Sequence, residues 1–411
     1  MGNFSIALSG LEADSVSLNT IGNNLANLNT TAYKGQTTSF EDLFYQQIGQ
    51  SGSGDAIQVG AGTKVSGTST DFSEGTLLPD ANANPTDMAL SGNGFFVVNQ
   101  NGVQSLTRAG NFQISSNGGL ITQDGQQVMG YPATNGVVNQ NGALQPIVIP
   151  VGATEGAQAT QNVSVTSNLN SGATVGTTFT TPVTLYDSLG QSQQATISYD
   201  KTGTNTWSYA VTLPAGAATG TPVNNTGTLT FDSNGNLTSP TGTVAGISFP
   251  GMADGASNLS FNWNLNDASG NPTLTQLATA STNNSYLQDG FASGNYQQIS
   301  VDSSGVITAQ FSNGQSSTVG QLAVANVANV QGLVATGGNN FTTSVSSGQA
   351  TAGVAGTGGR GTVEDNALEQ SNVNISTEFS NLIVAQRAFE ANSKTVTTFD
   401  TISQDVLAMV R

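Results

Sequence analysis

Two stretches of helical periodicity, one at each end of the chain, constrain this sequence more than anything between them. Near the amino end, Phe4, Leu8, Leu11, Leu18, Ile21, Leu25 and Leu28 recur mostly at steps of three and four, the spacing that lines one face of an α-helix. Near the carboxyl end, Ile375, Phe379, Leu382, Phe389, Val396, Phe399, Ile402, Val406 and Met409 trace a second stripe. Asn374 or Ser376 is placed to cap this second helix, Glu378 falls in its first turn where the dipole favours an anion, and Arg411 complements its far end. Ser9 and Glu12 have capping-box spacing, which predicts that the first helix proper starts at Ser9. Both stripes are narrow, as in a coiled-coil seam, and a narrow stripe needs a partner helix to bury it.

The middle of the chain reads differently. Trp207, Tyr209, Val211 and Leu213 alternate with small polar residues, as do Phe261, Trp263 and Leu265, which is the period of half-buried strands. Turn dipeptides at Asn101-Gly102, Asn117-Gly118, Asp124-Gly125, Asn141-Gly142, Asn234-Gly235 and Asn313-Gly314 punctuate these runs. Two Gly-rich stretches with little periodicity, 49–63 and 350–362, separate the end helices from this β-rich interior and read as linkers. The chain thus leaves a helical layer, builds β-domains, and returns to the helical layer.

Composition removes most chemistry. There is no Cys and no His among the 411 residues, so disulfides, thiolate metal sites and imidazole catalysis are absent together. Only 8% of residues are charged and the formal net charge is −17; the eight basic residues are dispersed, so neither nucleic acid nor an anionic membrane is an expected partner. The carboxylates sit mostly in turn contexts such as Asp187-Ser188 and Asp302-Ser303, which favours surface turns over a glycosidase pair. Asp232-Ser233-Asn234-Gly235-Asn236 imitates the start of a calcium loop but lacks its closing glutamate, so a hairpin turn is expected there. No metal, cofactor or catalytic residue is expected. The start Met1-Gly2-Asn3-Phe4-Ser5-Ile6 lacks a charged n-region and an apolar core, so no cleaved secretory signal is expected, and no apolar run is long enough to cross a membrane.

Periodicity leaves two readings of the ends open: helices that polymerise, or a helical hairpin that closes a monomer. Asn19, Asn23, Asn24, Asn27 and Asn29 are costly in an isolated helix, an expense offset if their amides meet neighbouring subunits. A third reading, of another class, is a secreted β-rich glycan-binding protein, which would expose its aromatic residues beside paired carboxylates.

The segment Asn23-Asn24-Leu25-Ala26-Asn27-Leu28-Asn29-Thr30-Thr31-Ala32-Tyr33-Lys34 resembles the signature of the bacterial flagellar rod and hook proteins. Asn24, Asn27, Asn29, Thr30, Tyr33 and Lys34 carry the likeness, while Ala32 stands where that family has glycine. Asp87–Val98 with Thr107–Phe112, Ala367–Asn374 and Val384–Asn392 are similar to further stretches of the family, in the same order. Val183–Gly190 and Leu287–Gly294 look like the outer domain of its hook members and the return from it; rod members are typically shorter, and a distal-rod type is the nearest alternative.

The resemblance implies a multidomain α+β protein in which paired, coiled-coil-like terminal helices carry two mainly-β domains between them. Residues 1–35 with 370–411 would form the helical polymerisation domain, 36–71 a linker region, 72–164 with 286–369 an inner β-domain, and 165–285 an outer one. The polymerising positions would be Leu8, Leu11, Leu18, Ile21, Leu25, Leu28, Phe379, Leu382, Phe389, Val396, Ile402 and Val406. It further implies a helical tube of identical copies, coupling rod to filament and transmitting torque while bending. Its partners would be the rod, hook-cap and hook–filament junction proteins. The chain would be exported by the flagellar type III apparatus to an extracellular place on the flagellum.

Overall fold

In a computed structural model, which describes residues 2–52, 56–79 and 84–409, two long helices bracket a chain of short strands. The first, α1, spans Gly2–Ala26, and the second, α2, spans Ile375–Met409. At 1.5 Å per residue they are about 38 and 52 Å long. The capping box expected at Ser9 does not form. The helix runs through it, because Ser9 Oγ donates to the Ile6 carbonyl at 2.7 Å and accepts from the Thr63 amide at 3.2 Å instead of capping a helix end. At α2, Asn374 is the cap: its Oδ1 accepts from the amides of Ser376 and Thr377 at 3.0 and 3.1 Å. Arg411 and the Phe4 side chain lie outside the described residues.

The Gly-rich stretches 49–63 and 350–362, and the wider 36–71 region expected as a linker, contain paired strands. Gln36–Asp42 pairs antiparallel with Thr63–Thr70, Gln46–Gln50 pairs with Ala56–Val59, and Thr351–Gly353 pairs with Val324–Asn326. The first two pairs are two-stranded ribbons that bury little, so no apolar alternation is needed and none shows in the sequence, whereas the third adds a short strand to the main sheet of the first unit. The ribbon nearest α1 is held along it by Thr38 Oγ1, which donates to Thr20 Oγ1 at 2.9 Å. Gly62, at φ +115°, lies so close to Ser9 Oγ that a Cβ would collide with it.

The chain divides into two compact units: Met1–Val151 with Gln298–Ala309 and Ser317–Arg411, and Gly152–Gln297 with Gln310–Ser316. The second unit therefore begins earlier and ends later in the sequence than the 165–285 block. In the first unit Gln127–Thr134 pairs with Ser316–Leu322 on one side and Phe95–Gln100 on the other. The sheet continues through Val103–Thr107 and Asn340–Thr342 to Val334–Gly337. Its core gathers Phe95, Val97, Leu106, Met129, Tyr131 and Phe341, with Phe72 packed edge-on to Phe341 at 5.2 Å between ring centroids.

The second unit is two sheets around one apolar core. One runs Thr178–Tyr186, Ser192–Gly203, Thr206–Thr212, Thr226–Phe231, Leu237–Ser239, and the other is built around Asn162–Asn170. The alternation read at 207–213 and 261–265 is the inward face: Trp207, Tyr209, Val211, Phe261, Trp263 and Leu265 are all buried. Both tryptophans are core residues, so neither is offered at the surface as a glycan-binding reading would require.

The turns repeat one device. Asp187, Asp232, Asp267 and Asp302 each accept, through Oδ1, from the amides two and four residues on. A glycine with positive φ follows each of them three residues on. The Asp232 loop is thus a hairpin turn, and the amides of Asn236 and Asn271, with others in the turns, hold the Asp232 and Asp267 carboxyls below the usual range.

Candidate assembly surface

The chain ends meet in an antiparallel pair. Asn24 Nδ2 donates to Glu378 Oε1 at 3.3 Å, and Asn392 Nδ2 donates to Asp14 Oδ2 at 2.9 Å, so the start of α2 lies beside the end of α1. The seam is made of small and polar residues rather than the leucine stripe. Ala7, Gly10, Ala13, Ile21 and Asn24 are buried on α1 and Ala385 on α2, and a Cβ on Gly10 would lie 2.7 Å from Asn392 Nδ2. Small residues let the two backbones come close, and they carry little hydropathy signal.

The stripe residues are distributed accordingly. Ile21 is buried; Leu11, Leu18, Leu25, Leu28, Leu382 and Val396 are half-buried; Leu8, Phe379, Phe389, Ile402 and Val406 are exposed. Every residue from 400 to 409 is exposed. Ile402, Val406, Leu407 and Met409 stand at 50, 54, 71 and 85% exposure. The carboxyl end of α2 therefore carries apolar side chains that none of the described residues covers.

The segment leaving α1 is tied down by its own asparagines. Asn24 Nδ2 donates to the Gln36 carbonyl at 2.8 Å and its Oδ1 accepts from the Gln36 amide at 2.9 Å, joining helix to strand in a two-pronged bond. Tyr33 Oη donates to Asn24 Oδ1 at 3.2 Å and accepts from Asn23 at 3.1 Å. Burial, and then the neighbouring Glu378 carboxylate, push the Tyr33 phenol up. Asn27 donates to the Asn23 carbonyl at 2.9 Å and accepts from Thr30 at 3.1 Å, whereas Asn29 is exposed and without a side-chain hydrogen bond among the described residues. The amides of Asn23, Asn24 and Asn27 thus find partners inside the chain, contrary to the expectation that they wait for a neighbour. Ala32 is buried at φ +56°, its amide donating to the Glu369 carbonyl at 2.8 Å. The left-handed turn is made without glycine.

Beneath this turn sits a cluster of three buried charges. Lys34 Nζ is 2.6 Å from Glu369 Oε1, and Arg108 Nε is 2.8 Å from Glu369 Oε2. Lys34 also donates to the Ser73 carbonyl, the Gly75 amide donates to Glu369, and Arg108 serves the carbonyls of Leu90, Gly92 and Gly94. Burial by itself would raise the Glu369 carboxyl, but the Arg108 guanidinium and then the Lys34 ammonium more than offset it and hold it below the usual range. Ala367–Glu369 pairs with Leu77–Pro79, and Asn372 bridges the Gly35 amide to the Asp71 carbonyl, so the entry to α2 is fastened to the exit from α1. Sequence reading missed Arg108 and Glu369 as a pair with Lys34. Their only signal was membership of the two outlying family-like stretches.

A helix pair formed from the two chain ends, locked by buried charge to the β-strands between them, defines a structural protein of the flagellar axial class. Four domain models match in chain order: the flagella basal body rod protein at 4–34, the flagellar hook protein FlgE/F/G D1 domain at 89–168, the flagellar basal body protein FlaE D2 domain at 157–291, and the flagellar basal body rod FlgEFG protein C-terminal at 364–409. The chain is 34% identical to the flagellar hook protein FlgE of Escherichia coli, over 97% of this chain and 98% of the relative. It is 32% identical to that of Treponema pallidum over 98% of each. The crystal structure of Helicobacter pylori flagellar hook protein FlgE2 shares the fold, with a TM-score of 0.52 at 16% identity over 71% of this chain and all of that one. The chain belongs to the flagellar hook protein family, whose members are structural, and its place is the flagellar hook and basal body.

Proposed function

We propose that this chain polymerises through its terminal helices into a flexible tube that couples the rod of the motor to the filament and transmits torque while bending. The observation that carries this reading is the exposed apolar side chains of α2 between Phe379 and Met409, on a helix of which only Ala385 is buried among the described residues. Exposed apolar side chains on a helix of this length are stable only against another helix. In the tube, α1 and α2 make the strong, register-fixed contacts, while the β-units, rich in Asn, Ser, Thr and Gly, make weak polar contacts that exchange as the tube bends. Rod, hook-cap and hook–filament junction proteins are the partners at its ends, delivery is by the flagellar type III route without a cleaved signal, and the role is not enzymatic.

The test is Ile402→Asp together with Val406→Asp. Both positions are exposed in the single copy, so circular dichroism and thermal unfolding should be unchanged while tube formation, followed by sedimentation and electron microscopy, is lost. Normal tubes from the doubly substituted chain would refute the terminal-helix reading.

A further inference from the structure

Between α1, the strand Gln36–Asp42 and α2 lies a groove of about 310 Å3 holding a carboxylate that the chain leaves half used. Glu378 Oε1 accepts from Asn24, whereas Glu378 Oε2 is buried and has no hydrogen-bond partner among the described residues. The other acid of the groove, Asp14, is engaged by Asn392. Ile21, Phe40, Val384, Ala385 and Ala388 supply apolar wall. A buried carboxylate oxygen without a partner is costly. Apolar walls around it suit a long aliphatic stem that ends in a cation.

The chain's own cations identify the occupant. Lys34 and Arg108 are held by Glu369 and Lys64 by Glu41. Lys201 donates to the Ser171 carbonyl and Arg360 to the Val354 carbonyl. Among the described basic residues, only the exposed Arg387 and Lys394 have side chains with no such partner. Arg387 lies nine residues after Glu378, about two and a half helical turns, so the two side chains leave α2 on opposite faces. Arg387 cannot reach the groove of its own chain. A second copy lying alongside can deliver it.

We propose that Arg387 of one copy enters the Glu378 groove of a second copy and places its guanidinium on Glu378 Oε2. The planar fork of arginine matches a carboxylate better than the single ammonium of Lys394 does. Ile383, exposed one turn before Arg387 and outside the groove, brings apolar surface to the same contact. Donor and groove occupy different surfaces of one chain, so the contact is heterologous and propagates from copy to copy instead of closing a dimer. The inference rests on polymerisation through the terminal helices and adds the charge pair that sets its register.

The experiment measures the critical concentration for tube formation by the full chain. Arg387→Glu should raise it at least tenfold with the fold intact, because Arg387 has no side-chain partner to lose among the described residues. Glu378→Gln, which keeps an acceptor for Asn24, should raise it several-fold. Glu378→Arg combined with Arg387→Glu should recover most of the assembly lost in the single variants. Unchanged assembly by Arg387→Glu, no recovery in the double variant, or recovery only when Lys394→Glu replaces Arg387→Glu overturns the pair while leaving the polymerisation reading intact. Failure of the unsubstituted chain to form tubes would instead strike at that reading itself.

Discussion

Replacing Glu369 with glutamine tests whether the buried charge cluster is what joins the helical ends to the β-strands. The carboxylate faces two cations at 2.6 and 2.8 Å with its side chain fully buried. Glutamine is close in size, so the change is one of charge: Lys34 and Arg108 are left together with no anion between them. Removing one partner of a buried ion pair costs about 3–5 kcal/mol. Arg108 keeps three carbonyl acceptors and Lys34 keeps one, which places the expected loss near the lower end, about 3 kcal/mol.

The assay can be confined to one unit, because both tryptophans, Trp207 and Trp263, lie in the second unit and both long helices in the first. In urea, the circular dichroism transition of the helices should move to lower denaturant while the tryptophan fluorescence transition stays in place. Lys34→Met, which leaves Glu369 paired with Arg108, should cost less than Glu369→Gln. A loss below about 1 kcal/mol for Glu369→Gln, where breaking a buried pair predicts three times that, or an equal shift in fluorescence, would refute the reasoning.

Acid should act on the same cluster and on the aspartates that accept from backbone amides in the second unit. Glu369, Asp187, Asp232, Asp267 and Asp289 are all held below their ordinary values in the folded chain. Each therefore contributes stability that is present above the ordinary carboxylate range and is lost as pH falls through its folded value. With no histidine, urea midpoints should be flat between about pH 5 and 8 and decline below about 4; a slope between 6 and 7 would contradict this. Ala32→Gly relieves about 1–2 kcal/mol of left-handed strain but gives up about 0.8 kcal/mol of methyl burial and about 0.4–1 kcal/mol of unfolded-state restriction. Because these effects oppose one another, stability should change by less than about 1 kcal/mol, and a loss above twice that would show that the methyl packs more tightly than its site suggests. Like-charged copies repel, so tube yield should rise as salt screens the net charge of −17; yield falling with salt would mean that ion pairing between surfaces outweighs the repulsion.

Much of this architecture is legible in the residues. The end helices announce themselves because their apolar stripes recur over many turns, and the strands at 206–212 and 259–264 because bulky and small polar residues alternate. The ribbons at 36–70 are not legible, since a two-stranded ribbon buries neither face and needs only turn chemistry and β-tolerant residues such as Thr37, Thr38 and Ser69. The seam between the helices is hidden for a related reason. Leucines are the conspicuous residues of α1, but Gly10, Asp14 and Asn24 are what meet α2, so hydropathy gives no sign of the seam. The charge cluster is invisible to any local pattern: its members stand at 34, 108 and 369, and only the folded chain brings them together.

That separation sets the order in which the molecule can mature. Lys34 and Arg108 are made early in the chain, whereas the carboxylate that neutralises them, and the strand Ala367–Glu369 that carries it, come almost at the end. Until then the first unit has two cations it cannot bury and a strand edge at Leu77–Pro79 it cannot pair. Contacts of such long sequence separation form slowly and late. The second unit lies wholly within Gly152–Ser316, so every residue of it is made before the closing strand. A nascent chain therefore passes through a stage in which all residues of the inserted unit are present while the unit bearing both helices waits for its last fifty residues or so, roughly the span from the closing strand onward. The helices cannot take up their seam before that moment, and a subunit that has not yet finished arriving has no second helix to offer a neighbour.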